Sequence, residues 1–174
     1  MPKILVIGDA CKDAFVYGIC NRLCPDAPVP VFQPERALES PGMAGNVVAN
    51  LISLGCDVGA LTTQEWNLVK KTRYIDDKSN YIILRIDTDT RSNKNSFFDK
   101  DKEEFDKIVD EADAVVISDY DKGYLTTKDI EYIASKHKLT FLDTKKRIDS
   151  WANKISFIKI NKEEYQRSYP LSPW

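Results

Sequence analysis

Several features that would settle a function quickly are missing from this chain. It has a single histidine, His137, set in Ser135-Lys136-His137-Lys138 with no serine or cysteine partner suggesting a triad. A histidine-based nucleophile triad therefore has nothing to build on, and the position reads as a solvated residue capping a helix end. Lysine and arginine number 25 against 27 acidic residues, giving a net charge of −2. With both signs mixed along the chain there is no basic footprint for nucleic acid. No apolar run approaches the roughly 20 residues of a membrane span. Met1-Pro2-Lys3-Ile4-Leu5-Val6 runs straight into a strand, so a chain without a leader, residing in the cytoplasm, is expected. Cysteine is scarce: Cys11, Cys20, Cys24 and Cys56. Cys20 and Cys24 have C-x3-C spacing, but no second pair or nearby histidine follows, so free thiols are expected rather than zinc. The seven glycines (Gly8, Gly18, Gly42, Gly45, Gly55, Gly59 and Gly123) never form G-x-x-x-x-G-K, which excludes a P-loop.

What the chain does contain is an alternation of buried strands and amphipathic helices. Its 174 residues with 43% apolar content suffice for one core, and one domain over 1–174 is expected. Lys3 to Ile7 is nearly all apolar, as a strand covered on both faces would be. Gly45 to Leu54 carries Val47, Val48, Leu51, Ile52 and Leu54 at helical spacing, stopped by Gly55. Asp57–Leu61, Ala114–Ser118, Leu139–Asp143 and Ile155–Ile160 read as further strands. Glu103–Val109 and Thr126–Ala134 read as helices, with Thr126 and Asp129 as a capping pair. Val29-Pro30-Val31-Phe32 is extended but broken by proline, so it suits an edge strand or a loop. Around the polar Asp76–Asn80, two β-rich runs form a hairpin signature over about 71–87. Thr88 to Lys102 reads as a disordered loop. The pattern is α/β: βαβ units, a parallel sheet and a small β excursion.

In open α/β sheets ligands gather at the carboxyl ends of the strands. Asp9, Asp119, Asp143 and Asn161 each follow a strand at that edge. Any one of them alone reads more readily as a helix N-cap. Their repetition is joined by Pro41-Gly42-Met43-Ala44-Gly45-Asn46, where glycine permits close approach and a helix start offers free N–H groups. Together these point to a ligand cleft.

These residues carry a family resemblance. Ile7-Gly8-Asp9 with Asp13, Cys24–Val31, Pro41–Gly55, Lys71–Ile75, Leu84–Asp87, Val116–Thr126 (including Ser118-Asp119-Tyr120-Asp121-Lys122-Gly123), Leu142–Lys145 and Lys159–Glu164 occur in one order. The order resembles that of the ribokinase-like (pfkB-type) carbohydrate kinases, most of all the heptose-7-phosphate kinase domain of ADP-heptose synthesis enzymes. The resemblance implies a ribokinase-like parallel sheet with flanking helices and a small β lid. It implies that Asp9, Asp13, Gly42, Asn46 and Asp119 meet the sugar. Lys71, Arg73 and Lys122 would hold a sugar phosphate, though Lys71 and Arg73 also fit an ordinary solvated basic pair. Asn161 and Glu164 match an N-x-x-E element that places magnesium and phosphate. ATP and magnesium are the implied cofactors, and a homodimer through the lid is the implied assembly.

The departures shape the expectation as much as the matches. Met43 stands where the family has a second glycine, and Leu61 is separated from Lys71 by only a short segment. The family's nucleotide half, with its G-A-G-D anion hole and catalytic aspartate, has no counterpart in these 174 residues. Asp119 or Asp143 are the only evident substitutes as a base. The expected function is thus a kinase-like sugar or sugar-phosphate site that is not catalytic alone. The alternatives are a minimal carbohydrate kinase completed by oligomerisation or a partner chain, and a remnant that only dimerises through its lid.

Overall fold

The computed structural model describes residues 1–88 and 102–169. The elements in chain order are β1 (Lys3–Gly8), β2 (Ala10–Ile19), β3 (Gln33–Met43), α1 (Ala44–Ser53), β4 (Asp57–Thr62), β5 (Lys70–Asp76) and β6 (Ile82–Thr88). They continue with α2 (Lys102–Asp110), β7 (Ala114–Asp119), α3 (Thr127–Lys136), β8 (Thr140–Thr144), a 3-10 turn (Ser150–Ala152), β9 (Phe157–Lys159) and α4 (Lys162–Ser168). The expected loop between Thr88 and Lys102 falls on residues 89–101, outside the described residues.

Five strands form a parallel sheet in the order β4-β1-β7-β8-β9. Register sets Leu5 beside Val115 and lines up Ile7, Ile117 and Leu142 across three strands. Because strand side chains alternate, these residues share one face. There they meet Phe105 and Val109 of α2 and Ile130 and Ile133 of α3 in one core. Each fully buried large side chain contributes about 1.5–3 kcal/mol, so this layer anchors the molecule. Thr126 and Asp129 form the expected capping box at the start of α3, with Asp129 N donating to Thr126 Oγ1 at 3.2 Å.

Four other strands form a second sheet in the order β3-β2-β5-β6. The expected hairpin is there as β5 and β6, paired antiparallel. Its turn is fastened by Asp76 Oδ2, which accepts from Ser79 N at 2.9 Å and Ser79 Oγ at 2.6 Å. The lid is nevertheless twice the size that the sequence pattern indicates. Val29–Phe32 is not a strand; only the isolated bridge Leu23–Pro30 lies there. The pairing strands are Ala10–Ile19 and Gln33–Met43, the second of which is exposed along all but its last two residues. An exposed edge strand carrying Pro34 and Pro41 needs no alternation of apolar residues, which is why the pattern conceals it.

His137 differs from expectation too. It caps α3, but the ring is half buried rather than solvated: Nε2 lies 3.0 Å from the Ala112 carbonyl, and Leu139 N donates to Nδ1 at 3.1 Å. A neutral ring protonated at Nε2 satisfies both contacts.

Candidate functional site

Two clusters of charge and an apolar floor between them make up the site. The first cluster lies on one face of the lid. Register places Asp13 opposite Lys71, Lys71 opposite Asp87, Arg73 opposite Arg85 and Cys11 opposite Gly42, so all seven share that face. Arg73 Nη1 donates to Asp13 Oδ1 at 2.7 Å, with both side chains about four-fifths buried. Arg85 grips Asp87 through Nε at 2.7 Å and Nη2 at 2.9 Å, and Lys71 Nζ reaches the same carboxylate at 3.4 Å. Arg85 and Lys71 hold the Asp87 carboxyl below the usual carboxylate range, the Arg85 bond foremost. Burial, reinforced by Asp13, pushes the Cys11 thiol up to about 11, so Cys11 is a small apolar filler here rather than a nucleophile. Gly42 is needed for room. A Cβ there would stand 2.4 Å from Asp13 Oδ2 and 2.6 Å from Cys11 Sγ.

The second cluster lies at the carboxyl edge of the parallel sheet. Gly8, at φ 155°, brings β1 so close to β7 that a Cβ would sit 1.9 Å from the Ser118 carbonyl oxygen. This approach delivers Asp9 to the β7–α3 loop, where its Oδ2 accepts from Tyr120 N at 2.8 Å and Lys122 N at 3.4 Å. Burial pushes the Asp9 carboxyl above the usual carboxylate range; the Tyr120 amide opposes this and neighbouring Asp119 adds to it. Asp119 is fully buried and well bonded. It accepts from Thr144 Oγ1 at 2.5 Å and from Lys146 Nζ at 2.8 and 3.0 Å. Lys146 also pairs with Asp121 at 2.8 Å. Burial opposes the charge on Lys146, but its bonds to Asp119 and Asp121 outweigh it and raise the pKa.

Further along the same edge, Asn161 and Glu164 form a capping box for α4. Glu164 N donates to Asn161 Oδ1 at 2.9 Å and Asn161 N to Glu164 Oε2 at 2.8 Å. Lys145 pairs with the buried Glu164 carboxylate. Burial works against that charge, yet Lys145 and the Asn161 amide hold the Glu164 carboxyl below its ordinary value. Asp143 is bonded through Oδ2 to Lys159 at 2.9 Å, while its Oδ1 is a buried oxygen without a hydrogen-bond partner.

Between the clusters, Cys11, Met43 and Val69 pack together with the half-buried Tyr120 against them. Lys145 lies 5.5 Å from the centre of the Tyr120 ring. From Met43 the chain turns into α1, whose first turn carries Asn46 on the surface and has neither a side-chain cap nor an acid.

The structure thus brings Asp13, Gly42, Lys71 and Arg73 together in the lid. It brings Asp9, Asp119 and Lys122 together at the β7 loop, and Asn161 with Glu164 at α4. Sequence reasoning quoted Arg85, Asp87 and Thr144 within motifs but gave them no site role, and passed over Lys146. Their signal is present: alternation sets Arg85 and Asp87 on one strand face, and Thr144 ends a largely buried strand that Lys145 and Lys146 directly follow. Among the described residues no group of three histidines, cysteines or acids is placed to hold a metal ion, and no helix is long and apolar enough to cross a membrane.

No family model matches the chain. Among curated proteins it is similar to the bifunctional protein HldE of a Nitratiruptor species, 31% identical over 194 residues and 96% of this chain. HldE of Helicobacter acinonychis is 33% identical over 201 residues and 98% of this chain. The chain spans 41% and 43% of the length of these two relatives. Among solved structures, a carbohydrate kinase from Agrobacterium tumefaciens superposes with a TM-score of 0.59 at 14% identity, covering 97% of this chain and 63% of that one. Phosphofructokinase-2 from Escherichia coli, in its tetrameric inhibited form, gives 0.62 at 13% identity, covering 97% and 64%. The strand-edge site, the lid and the likeness to part of HldE over almost all of this chain agree: the chain fits the ribokinase-like (pfkB-type) sugar kinase family, close to HldE.

Proposed function

We propose that this chain is the acceptor side of a phosphosugar kinase: it binds a sugar phosphate between lid and sheet edge and does not phosphorylate it alone. The observation that carries the reading is the lid face, where Lys71, Arg73 and Arg85 stand against only two carboxylates, Asp13 and Asp87. That surplus of cations suits a phosphate, taken by charge-assisted bonds, while a carboxylate such as Asp13 accepts from sugar hydroxyls. Asn46, at the uncapped start of α1, adds a donor and an acceptor. Asp9 and Asp119 act through the loop from Tyr120 to Lys122, whose shape they fix, and Lys122 adds a cation to that wall.

Phosphoryl transfer would move the γ-phosphoryl of ATP to a sugar hydroxyl oxygen, with the hydroxyl proton going to a base and ADP leaving. Catalysis of that step is mostly positioning and charge stabilisation, and no glycine-rich phosphate cradle occurs in the 174 residues. ATP and magnesium enter through the family resemblance. The donor set fits magnesium carried in on nucleotide phosphates rather than caged by protein: three-ligand groups are absent among the described residues, but Asp143 Oδ1 is buried without a partner. Asp143 and Glu164 would face such an ion, which when bound neutralises charge on the phosphates. A homodimer through the lid is supported by the exposed Ile82, Leu84 and Ile86 along the edge strand β6. Light scattering that reads a monomer at every concentration would refute it.

Calorimetric titration tests the reading. Fructose 6-phosphate or sedoheptulose 7-phosphate is expected to bind, and magnesium–ATP is not. Nucleotide binding with turnover would instead favour a minimal kinase completed by a second copy or a partner chain.

A further inference from the structure

Met43 is a residue of the cleft that the backbone does not welcome. Its φ of 54° and ψ of −128° fall in a region that glycine enters freely and other residues rarely do. The conformation is imposed from both sides. Gly42 is wedged against Asp13 and Cys11, and the Ala44 amide donates to the Asp9 carbonyl at 2.9 Å. Nothing in the backbone calls for a side chain at this point. Yet the residue is almost wholly buried, in one apolar cluster with Cys11 and Val69 against which Tyr120 packs.

The location of that contact is informative. Cys11 stands on β2 opposite Gly42, on the lid face that carries Asp13, whereas Tyr120 follows Asp119 at the sheet edge and has Lys145 5.5 Å from its ring centre. The Met43 side chain therefore fills the interval between the phosphate-attracting face and the edge where a hydroxyl would react. A sugar phosphate bound at one end and reacting at the other has to lay its carbon chain across this interval. We infer that Met43 plugs the deep part of the acceptor cleft and thereby limits the length of the sugar phosphate that binds. This rests on the sugar-phosphate reading above and adds to it a residue that sets substrate size. A thioether is the right material for such a plug, being unbranched, apolar and adaptable against an aromatic ring.

The test is calorimetric titration of wild type, Met43→Gly and Met43→Phe with three probes: ribose 5-phosphate, fructose 6-phosphate and sedoheptulose 7-phosphate. The wild type is expected to prefer the five- or six-carbon phosphate. Met43→Gly should gain at least tenfold for sedoheptulose 7-phosphate while fructose 6-phosphate stays within threefold; Met43→Phe should lose at least tenfold for fructose 6-phosphate. Should the glycine variant not fold, Met43→Ala carries the same expectation, since it keeps only the Cβ. A methionine that merely fills the core would change melting temperature and leave the ratio of affinities untouched, and that result overturns the inference while leaving the site intact. Absence of binding by wild type to all three phosphates overturns the underlying site and this inference with it.

Discussion

In the parallel sheet, β1 from Leu5 onward and nearly all of β7 are buried, and Leu5, Ile7, Val115, Ile117 and Leu142 pack under α2 and α3. In the lid, β3 exposes nine of its eleven residues and β6 is exposed at all but one of seven. The lid is held instead by ladders of hydrogen bonds and by ion pairs such as Arg85 with Asp87 and Lys12 with Glu39. Burial of large apolar side chains contributes about 1.5–3 kcal/mol each, while exposed pairs contribute about 0–1 kcal/mol. One sheet therefore carries the stability, and the other is free to carry recognition. Breaking the first should unfold the chain, and breaking the second should leave a folded protein that no longer binds.

The largest effect is expected at the point where β1 meets β7. Gly8→Ala would force a Cβ to within 1.9 Å of the Ser118 oxygen at a φ of 155°, and a loss of roughly 5 kcal/mol is expected in urea unfolding. Next comes Lys146→Met. It leaves the Asp119 carboxylate buried without its cation, a change that costs about 3–5 kcal/mol and is read by the same measurement.

A pH-dependent effect follows from Glu164, whose folded pKa lies below its ordinary value. Between that value and the unfolded one near 4.3 the unfolded chain binds more protons, so stability rises with pH. The contribution is complete above about 4.3 and is lost as pH falls through the folded value. Glu164→Gln should therefore be less stable than wild type at pH 7, and the gap should close on acidification in melting curves. The smallest stability effect is expected in the lid. Arg85→Ala, which breaks an exposed pair with Asp87, should cost no more than about 1 kcal/mol yet weaken sugar-phosphate binding at least tenfold. A large loss of stability here would break the division between the two sheets.

The parallel sheet was legible in the sequence because burial on both faces writes continuous apolar runs such as Ile4-Leu5-Val6-Ile7 and Ala114-Val115-Val116-Ile117. Helix caps were legible for the same kind of reason, since Thr126 with Asp129 and Asn161 with Glu164 are local pairings. The lid strands β2 and β3 were not. β3 takes its conformation from pairing with β2 across the sequence, with a register shift beside Gly18, and neither propensity nor alternation reports such a contact. Among site residues, Asp13 and Arg73 were found through their motifs, but their union across 60 residues of chain belongs to topology. Lys146 escaped notice because a lysine after a strand looks like any solvated lysine until Asp119 is buried beneath it. The turn at Met43 reads from sequence as a side-chain question, and only the backbone reveals that strain accompanies it.

The most direct measurement is hydrogen exchange of the wild-type chain with and without saturating fructose 6-phosphate or sedoheptulose 7-phosphate. Recognition by the lid predicts new protection in Ala10–Ile19 and Lys70–Asp76, with the already slow amides of β1 and β7 unchanged. Protection gained nowhere, or only within the parallel sheet, would contradict it.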